Sequence, residues 1–477
     1  MSTISLITLN GNRTQLPETS LARLTGSLHG QLLTADSPDF DQARSVWNAM
    51  IDRKPALIAR CADSDDVIRA VQFAGEHRAL VAVRGGGHNI AGSAACDGGL
   101  VIDLSQMRGV RIDPRARTAA VEAGATLADF DREAQAFGLA TPLGINSTTG
   151  VAGLTLGGGF GWISRKHGLT IDNLRGADVV TADGRLRRAS ADENQDLFWG
   201  LRGGGGNLGV VTSFAFDLHE VGPQVLSGLI VHPFEAAASV LRRYRDFATG
   251  MPEELNVWFV MRHAPPLPFL PPEVHGKLIV LLAACHVGDV ASGEKLLAPL
   301  RSFGKPIADV IQPHPYAGWQ QAFDPLLTPG ARNYWKSHNF KSLSDEALDA
   351  LIRCTGKLPT PQSEIFVARV GGAINRVPAD ATAYPHRDTE FIMNVHTRWE
   401  RAVDDERCTA WARACFGEMA PYATGGVYVN FIPEDEDRVR AAYGGNFERL
   451  TRLKAELDPG NLFRQNQNVR PRPGGRG

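Results

Sequence analysis

The sequence predicts an α+β protein in two parts, and three observations carry that prediction. Helix and strand patterns alternate with short connections between about residue 55 and residue 218. Three glycine clusters interrupt that stretch. Beyond about residue 220 the glycine loops give way to alternating apolar strands and amphipathic helices, the pattern of an antiparallel sheet covered by helices.

Residues before about 55 are read as a leader helix and an entering strand. The first clear helix runs from Ser64 to about His77: Ser64 suits an N-cap, Asp65 and Asp66 occupy the first turn, and Val67, Val71 and Ala74 repeat at i, i+4 and i+7. A strand at Leu80–Val83 then breaks into Arg84-Gly85-Gly86-Gly87-His88-Asn89. Glycine lets a ligand approach backbone with no Cβ in the way, and turned N–H groups in such a loop form a concavity for anions such as a pyrophosphate. Strands are expected at Leu100–Leu104 and Thr118–Glu122, then a helix carrying Leu127, Phe130, Ala134 and Phe137 on one face.

The second glycine segment, Gly144 to Gly161, contains Gly150, Gly153 and Gly157-Gly158-Gly159. At about 1 kcal/mol per glycine it is not expected to hold a helix. The third, Gly203 to Gly209, satisfies G-x-G-x-x-G literally. It follows a helical segment at 196–200 and opens a strand at Val210–Phe214, the reverse of a dinucleotide fingerprint, so a Rossmann reading is rejected. Three such loops suggest one extended cofactor groove. Further on, strands are expected at Leu226–Val231, Asn256–Arg262, Lys277–Ala284, Glu364–Arg369 and Phe391–Val395, with helices around 235–248 and 289–303. Gly425 to Phe431 returns to glycine-turn chemistry, followed by a helix at about 434–456 and a frayed Gly/Arg/Pro-rich end.

A net charge of −2, with 43% hydrophobic and 21% charged residues, gives no basis for nucleic-acid binding. No apolar run is long enough for a membrane span, and no secretory leader is visible. The six cysteines form no C-x-x-C pair, which fits a reduced, cytoplasmic setting. H-E-x-x-H, G-x-x-x-x-G-K-[ST] and G-x-S-x-G are all missing, so metal hydrolysis, P-loop phosphoryl transfer and esterase chemistry lack their carriers. What remains is a protein whose cofactor does the hard chemistry.

Arg84-Gly-Gly-Gly-His-Asn-Ile-Ala-Gly92, the Gly144–Gly161 segment, Gly204-Gly-Gly-Asn-Leu-Gly-Val-Val-Thr212 and Asp458-Pro-Gly-Asn-Leu-Phe-Arg464 with Asn466-Gln-Asn-Val469 together resemble the berberine-bridge-enzyme-like FAD-linked oxidases, of the vanillyl-alcohol-oxidase type and closest to its bacterial members. The likeness covers about residues 55 to 473. It implies a PCMH-type FAD-binding domain (1–218), a substrate-binding domain (219–424) and a C-terminal segment (425–477) returning to the first. It implies FAD linked through His88 to the flavin's 8α-methyl carbon. Asn146 stands where many members carry a second, cysteinyl link, so a single bond is expected. The implied cofactor contacts are Val83, Arg84, Gly85, Gly86, Gly87, His88, Asn89 and Gly92 in the first loop. In the second they are Gly144, Asn146, Thr149, Gly150, Val151, Gly153, Gly157, Gly158, Gly159 and Gly161. Gly209 and Val211 follow, then Tyr428, Asn430, Gln467 and Asn468 from the end of the chain.

The resemblance further implies hydride transfer from a small-molecule alcohol or amine to the flavin and reoxidation by dioxygen to hydrogen peroxide, in a monomer or homodimer. The alternatives are a dehydrogenase using another acceptor, or a flavin-binding protein without turnover. The family's C-terminal motif reads Tyr-x-Asn-Tyr, its second tyrosine often serving as base. Here it reads Tyr428-Val-Asn430-Phe431, and phenylalanine cannot accept a proton. Tyr428, taken to lie on a strand, and Lys336 are the candidates for that role, with Glu364 and His396 read rather as structural partners in the sheet; the other option is that no base is needed, as for an amine already neutral when it gives up hydride. Tyr316, Trp319, Tyr334 and Trp335 suggest a ring-stacking pocket, as core packing also would.

Overall fold

A computed structural model describes residues 4–433 and 438–472. The α+β organisation is as expected. In the first sheet Leu57–Arg60, Leu100–Asp103 and Val81–Arg84 run parallel, with Gln31–Leu33 antiparallel at the edge. Leu100–Asp103 is buried at every position, as a central parallel strand covered on both faces must be. The second sheet is antiparallel, in the order Leu186–Ser190, Leu174–Val180, Val210–Asp217, Thr118–Glu122, Val110–Asp113. The helix Ser64–Glu76 packs against strands of both sheets with Val67, Ala70, Val71, Phe73 and Ala74 buried. Its cap is Asp63 rather than Ser64: the Asp63 carboxylate accepts from the Asp66 N–H. The helix Leu127–Gln135 starts on a capping box between Thr126 and Asp129. It ends before Phe137, which is 53% exposed instead of buried, because the chain has already left the helical face.

The third sheet has eight strands, all antiparallel, in the order Ala308–Asp309, Gln224–Pro233, Leu278–His286, Leu255–His263, Glu364–Arg369, Phe391–Trp399, Arg332–Phe340, with Gln312–Pro315 beside Gln224–Pro233. One face is covered by the helices Ala237–Thr249, Val290–Arg301, Asp345–Thr355 and Asp405–Met419, whose apolar stripes share one core with it. The other face presents Trp258, Leu281, Ala283 and Ile392 to Phe160, Trp162 and Tyr428 arriving from the glycine-loop half. Register aligns Arg262, Glu364, His396 and Trp335 across four neighbouring strands, so these four side chains share one face.

Three expectations fail on local grounds. The second glycine segment does contain a helix, Val151–Leu156, with Gly153 inside it: burial of Val151, Ala152, Thr155 and Leu156 outweighs the glycine penalty. Tyr428 is not on a strand. Val429–Phe431 is a single 3₁₀ turn, which brings the Tyr428 and Phe431 rings edge to face at 4.9 Å. The helix expected at 434–456 is two, Val439–Tyr443 and Phe447–Leu457, parted by Gly444 and Gly445; residues 434–437 and 473–477 lie outside the described range.

The end of the chain shares the core of its beginning, with Leu462, Phe463 and Val469 packed in one cluster with Leu197, Leu208 and Val210. Lys454, fully buried, donates to Asn207 O, Phe463 O and Asp458 Oδ2 at 2.6–2.9 Å. Asp458 in turn accepts the Leu462 and Phe463 N–H groups.

Candidate functional site

One cavity of about 370 Å³ runs from the glycine loops to the aromatic face of the third sheet. Its lining joins Val83, Gly85, Gly86, Gly87, His88 and Asn89 with Gly144, Asn146, Thr149, Gly150 and Gly153, then Gly209, Val211, Tyr428, Asn430 and Gln467. The separate loops foreseen in the sequence therefore converge. The first two touch backbone to backbone: a Cβ on Gly86 would stand 2.3 Å from Gly150 N. Among the described residues, the N–H groups of Gly85 to Asn89 meet no protein acceptor, and the Asn466 side-chain oxygen is buried without a partner on the same cavity. Free donors turned into a concavity suit a pyrophosphate, and the adjoining apolar slot suits a flat ring system. The residues present fit FAD.

Gly86→Ala is expected to part the first two loops, costing about 1–3 kcal/mol by overpacking and lowering the share of chains that incorporate the cofactor. The flavin-to-protein absorbance ratio checks it; a fully yellow variant with an unchanged melting midpoint would count against this packing.

His88 stacks on Trp47, ring centroids 5.1 Å apart, and its Nε2 lies 2.8 Å from Thr148 Oγ1. Burial lowers its pKa to about 4, so the imidazole is neutral at ordinary pH. Thr148 Oγ1 donates to Asn146 Oδ1 at 2.7 Å, so the hydroxyl oxygen is left to accept from His88. Nε2 then carries the hydrogen and Nδ1 keeps its lone pair.

Several expected contacts do not reach the cavity. The Arg84 guanidinium turns back to Ala43 O. Gly92 makes room for Ile51, Gly157 for Asn430, Gly159 for Thr170 and Gly161 for Leu143 O, while Gly158 packs beside Tyr384; these glycines shape the loops. Val151 is buried in its helix, and Asn468 lies outside the lining. Lys336 is corrected as well. Strand alternation puts it on the helix-covered face, its ammonium 5.2 Å from the Phe416 ring, while its neighbour Trp335 lines the cavity. Tyr316, Trp319 and Tyr334 are core residues away from the lining.

Tyr428 does line the cavity. Its hydroxyl accepts from the Gly159 N–H at 3.1 Å and from Asn430 Nδ2 at 2.9 Å, and burial pushes its pKa up to about 12. Asn430 also donates to Leu154 O, and Gln467 to Ile432 O, tying the end of the chain to the loops.

Most of the far wall is not legible in the sequence. Phe160, Trp162, Trp258, Phe323, Phe366 and Phe431 form it with aliphatic neighbours, and Arg262, Glu364, Asn394 and His396 are its polar members. Arg262 Nη1 donates to Glu364 Oε2 at 2.6 Å, and His396 Nδ1 lies 3.3 Å from Glu364 Oε1. Both amide atoms of buried Asn394 are unpartnered. Only alternation within each strand hinted at these positions; their meeting needs the register.

Residues 55–190 match the family model for an FAD binding domain, and residues 427–470 match the model described as berberine and berberine like. An FAD-linked oxidoreductase of Dictyostelium discoideum is 30% identical, with 93% of this chain and 95% of that protein covered. The crystal structure of 6-hydroxy-D-nicotine oxidase from Arthrobacter nicotinovorans superposes with a TM-score of 0.84 at 28% identity, covering 94% of this chain and 99% of that one. Xylooligosaccharide oxidase from Myceliophthora thermophila, in complex with xylobiose, gives 0.83 at 26% identity, covering 95% and 100%. Among the described residues no helix is long and apolar enough to cross a membrane.

Proposed function

Because the chain belongs to the berberine-bridge-like family of FAD-linked oxidoreductases, we propose that it oxidises an apolar, ring-bearing alcohol or amine, with its FAD held by one covalent bond through His88. The observation that carries this reading is the far wall: beyond the flavin loops the cavity is built from Phe160, Trp162, Trp258, Phe366 and Phe431 with few polar groups. A sugar, with a hydroxyl on nearly every carbon, would lose most of its hydrogen bonds against such a surface. A flat ring would instead be sandwiched by aromatic faces and edges, leaving its one polar group for Asn394.

When bound, the flavin supplies the electron-pair sink for the substrate's carbon–hydrogen bond and is returned to its oxidised form by dioxygen, releasing hydrogen peroxide. The protein's part is to fix the ring, exclude water and take up the substrate's O–H or N–H proton. His88, neutral and braced between Trp47 and Thr148, keeps the cofactor in register with the sheet. This reading divides the chain into an FAD-binding part (1–218), a substrate part (219–424) and a returning segment (425–477). It is supported by one core shared by residues 6–218 and 427–469. It places the enzyme in the cytoplasm as a monomer or homodimer.

A panel of 1-phenylethanol, 2-phenylpyrrolidine and xylobiose, mixed anaerobically with the yellow protein, tests the substrate class. Ring compounds are expected to bleach the flavin and xylobiose to leave it yellow, with peroxide appearing once air is admitted. Bleaching by xylobiose alone would overturn the assignment.

A further inference from the structure

With phenylalanine at position 431, the proton released during substrate oxidation needs another destination. The cavity offers few. Tyr428 keeps its own proton, burial holding its pKa up at about 12, and Lys336 faces the other side of its strand. Among the described residues lining the cavity, the remaining titratable groups near the aromatic wall are Arg262, Glu364 and His396, brought side by side by the register of three strands.

The hydrogen bonds around His396 fix where its protons are. Asn333 Nδ2 donates to Ala331 O at 2.8 Å, so the other end of that amide, Oδ1, faces His396 Nε2 at 3.1 Å. An amide oxygen only accepts, so Nε2 carries a hydrogen. The second ring nitrogen, Nδ1, stands 3.3 Å from Glu364 Oε1. A neutral ring would therefore set its lone pair against a carboxylate oxygen. One added proton turns that contact into a charge-assisted hydrogen bond.

We infer that the buried Glu364–His396 pair is the proton acceptor for substrate oxidation in this chain, in place of the tyrosine that Phe431 has replaced. The inference rests on the oxidase reading above. The substrate's O–H or N–H bond breaks and its proton passes to the pair; the neighbouring carbon–hydrogen bond breaks with its two electrons leaving to the flavin; a C=O or C=N bond forms. Dioxygen is the final oxidant, as in the proposed function.

The surroundings leave the pair unprotonated at rest, and the geometry around Nδ1 gives an arriving proton its place. Burial lowers the pKa of His396, with Glu364 pulling the other way and Arg398 and Arg262 adding to the decrease. Burial also works to raise Glu364, yet Arg262, His396 and Arg398 together hold it below the ordinary carboxylate range. From the neighbouring strand Trp335 closes the pair off edge to face, its ring 5.0 Å from His396 and 5.5 Å from Phe431. The pair is thus one indole away from the position of the missing hydroxyl.

The test uses 4-nitrophenol, a ring-bearing acid whose ionised form absorbs strongly, bound to the yellow holoenzyme across a pH series. The parent is expected to bind it as the phenolate, shifting its apparent ionisation at least about tenfold toward the anion relative to free solution. Glu364→Gln, whose amide can still accept from Arg262, is expected to abolish the shift while flavin content stays unchanged. His396→Asn, which leaves the Glu364–Arg262 pair whole, is expected to do the same, so a poorly folding first variant does not decide the outcome. Equal ionisation of the bound probe in the parent and in either yellow variant would overturn the inference. Failure of the yellow parent to bind the probe at all would instead sink the ring pocket of the proposed function, and the pair's role with it.

Discussion

Replacing His88 by alanine is expected to leave the denatured polypeptide colourless, whereas the parent chain carries flavin fluorescence through denaturation. In the proposed attachment one nitrogen makes the bond, so the effect is expected to be all or none. That nitrogen is prepared before the cofactor arrives: Thr148 spends its own hydrogen on Asn146 and so accepts from His88 Nε2, leaving Nδ1 with a lone pair. With the imidazole pKa lowered to about 4, acid would have to reach that range before the lone pair was lost, so attachment is expected to be nearly independent of pH from about 5 upward. Asn146 offers no thiol, so no second tether survives the change. Fluorescence of the protein band in a denaturing gel checks both; a colourless parent band would refute the covalent bond while leaving FAD binding intact.

The second large effect is expected far from any reacting atom. Lys454→Met should destabilise the protein by about 3–5 kcal/mol, the cost of stranding a buried charge. Lys454 on the last helix and Asp458 just past its end are both fully buried, and their contacts fasten the tail to the third glycine loop through Asn207 O. Removing the ammonium leaves the Asp458 carboxylate with only the Leu462 and Phe463 N–H groups. Chemical denaturation of parent and variant reads the loss, and Asp458→Asn in the Lys454→Met background should recover part of it by removing the orphaned charge. A variant within 1 kcal/mol of the parent, well below that range, would show the pair to be dispensable.

What could be read from the sequence divides along physical lines. The glycine loops were legible because a run such as Gly85-Gly86-Gly87 admits few structures other than a close backbone approach, and Gly86 against Gly150 is that approach. The strands from Leu226 onward were legible through apolar length and alternation. Their partners were not: Arg262, Glu364 and His396 sit in three separate strands, and only sheet order makes them neighbours. Lys336 was misread for a related reason, since alternation separates it from Trp335 without saying which face meets the cavity. The helix Val151–Leu156 was hidden by Gly153, whose cost tertiary burial overrode. Trp47, which braces His88, lies in a stretch with no period to betray it.

The shared core of the two chain ends has a consequence for how the protein is made. Asn466 and Gln467 line the flavin cavity, and Asn207, within the third loop, donates to Gln467 O and accepts the Val469 N–H. A nascent polypeptide stopped short of residue 469 has its histidine and its first loops but no floor beneath them. Cofactor capture therefore needs that last segment, and any truncation that removes it should yield apoprotein however well the earlier sheets assemble.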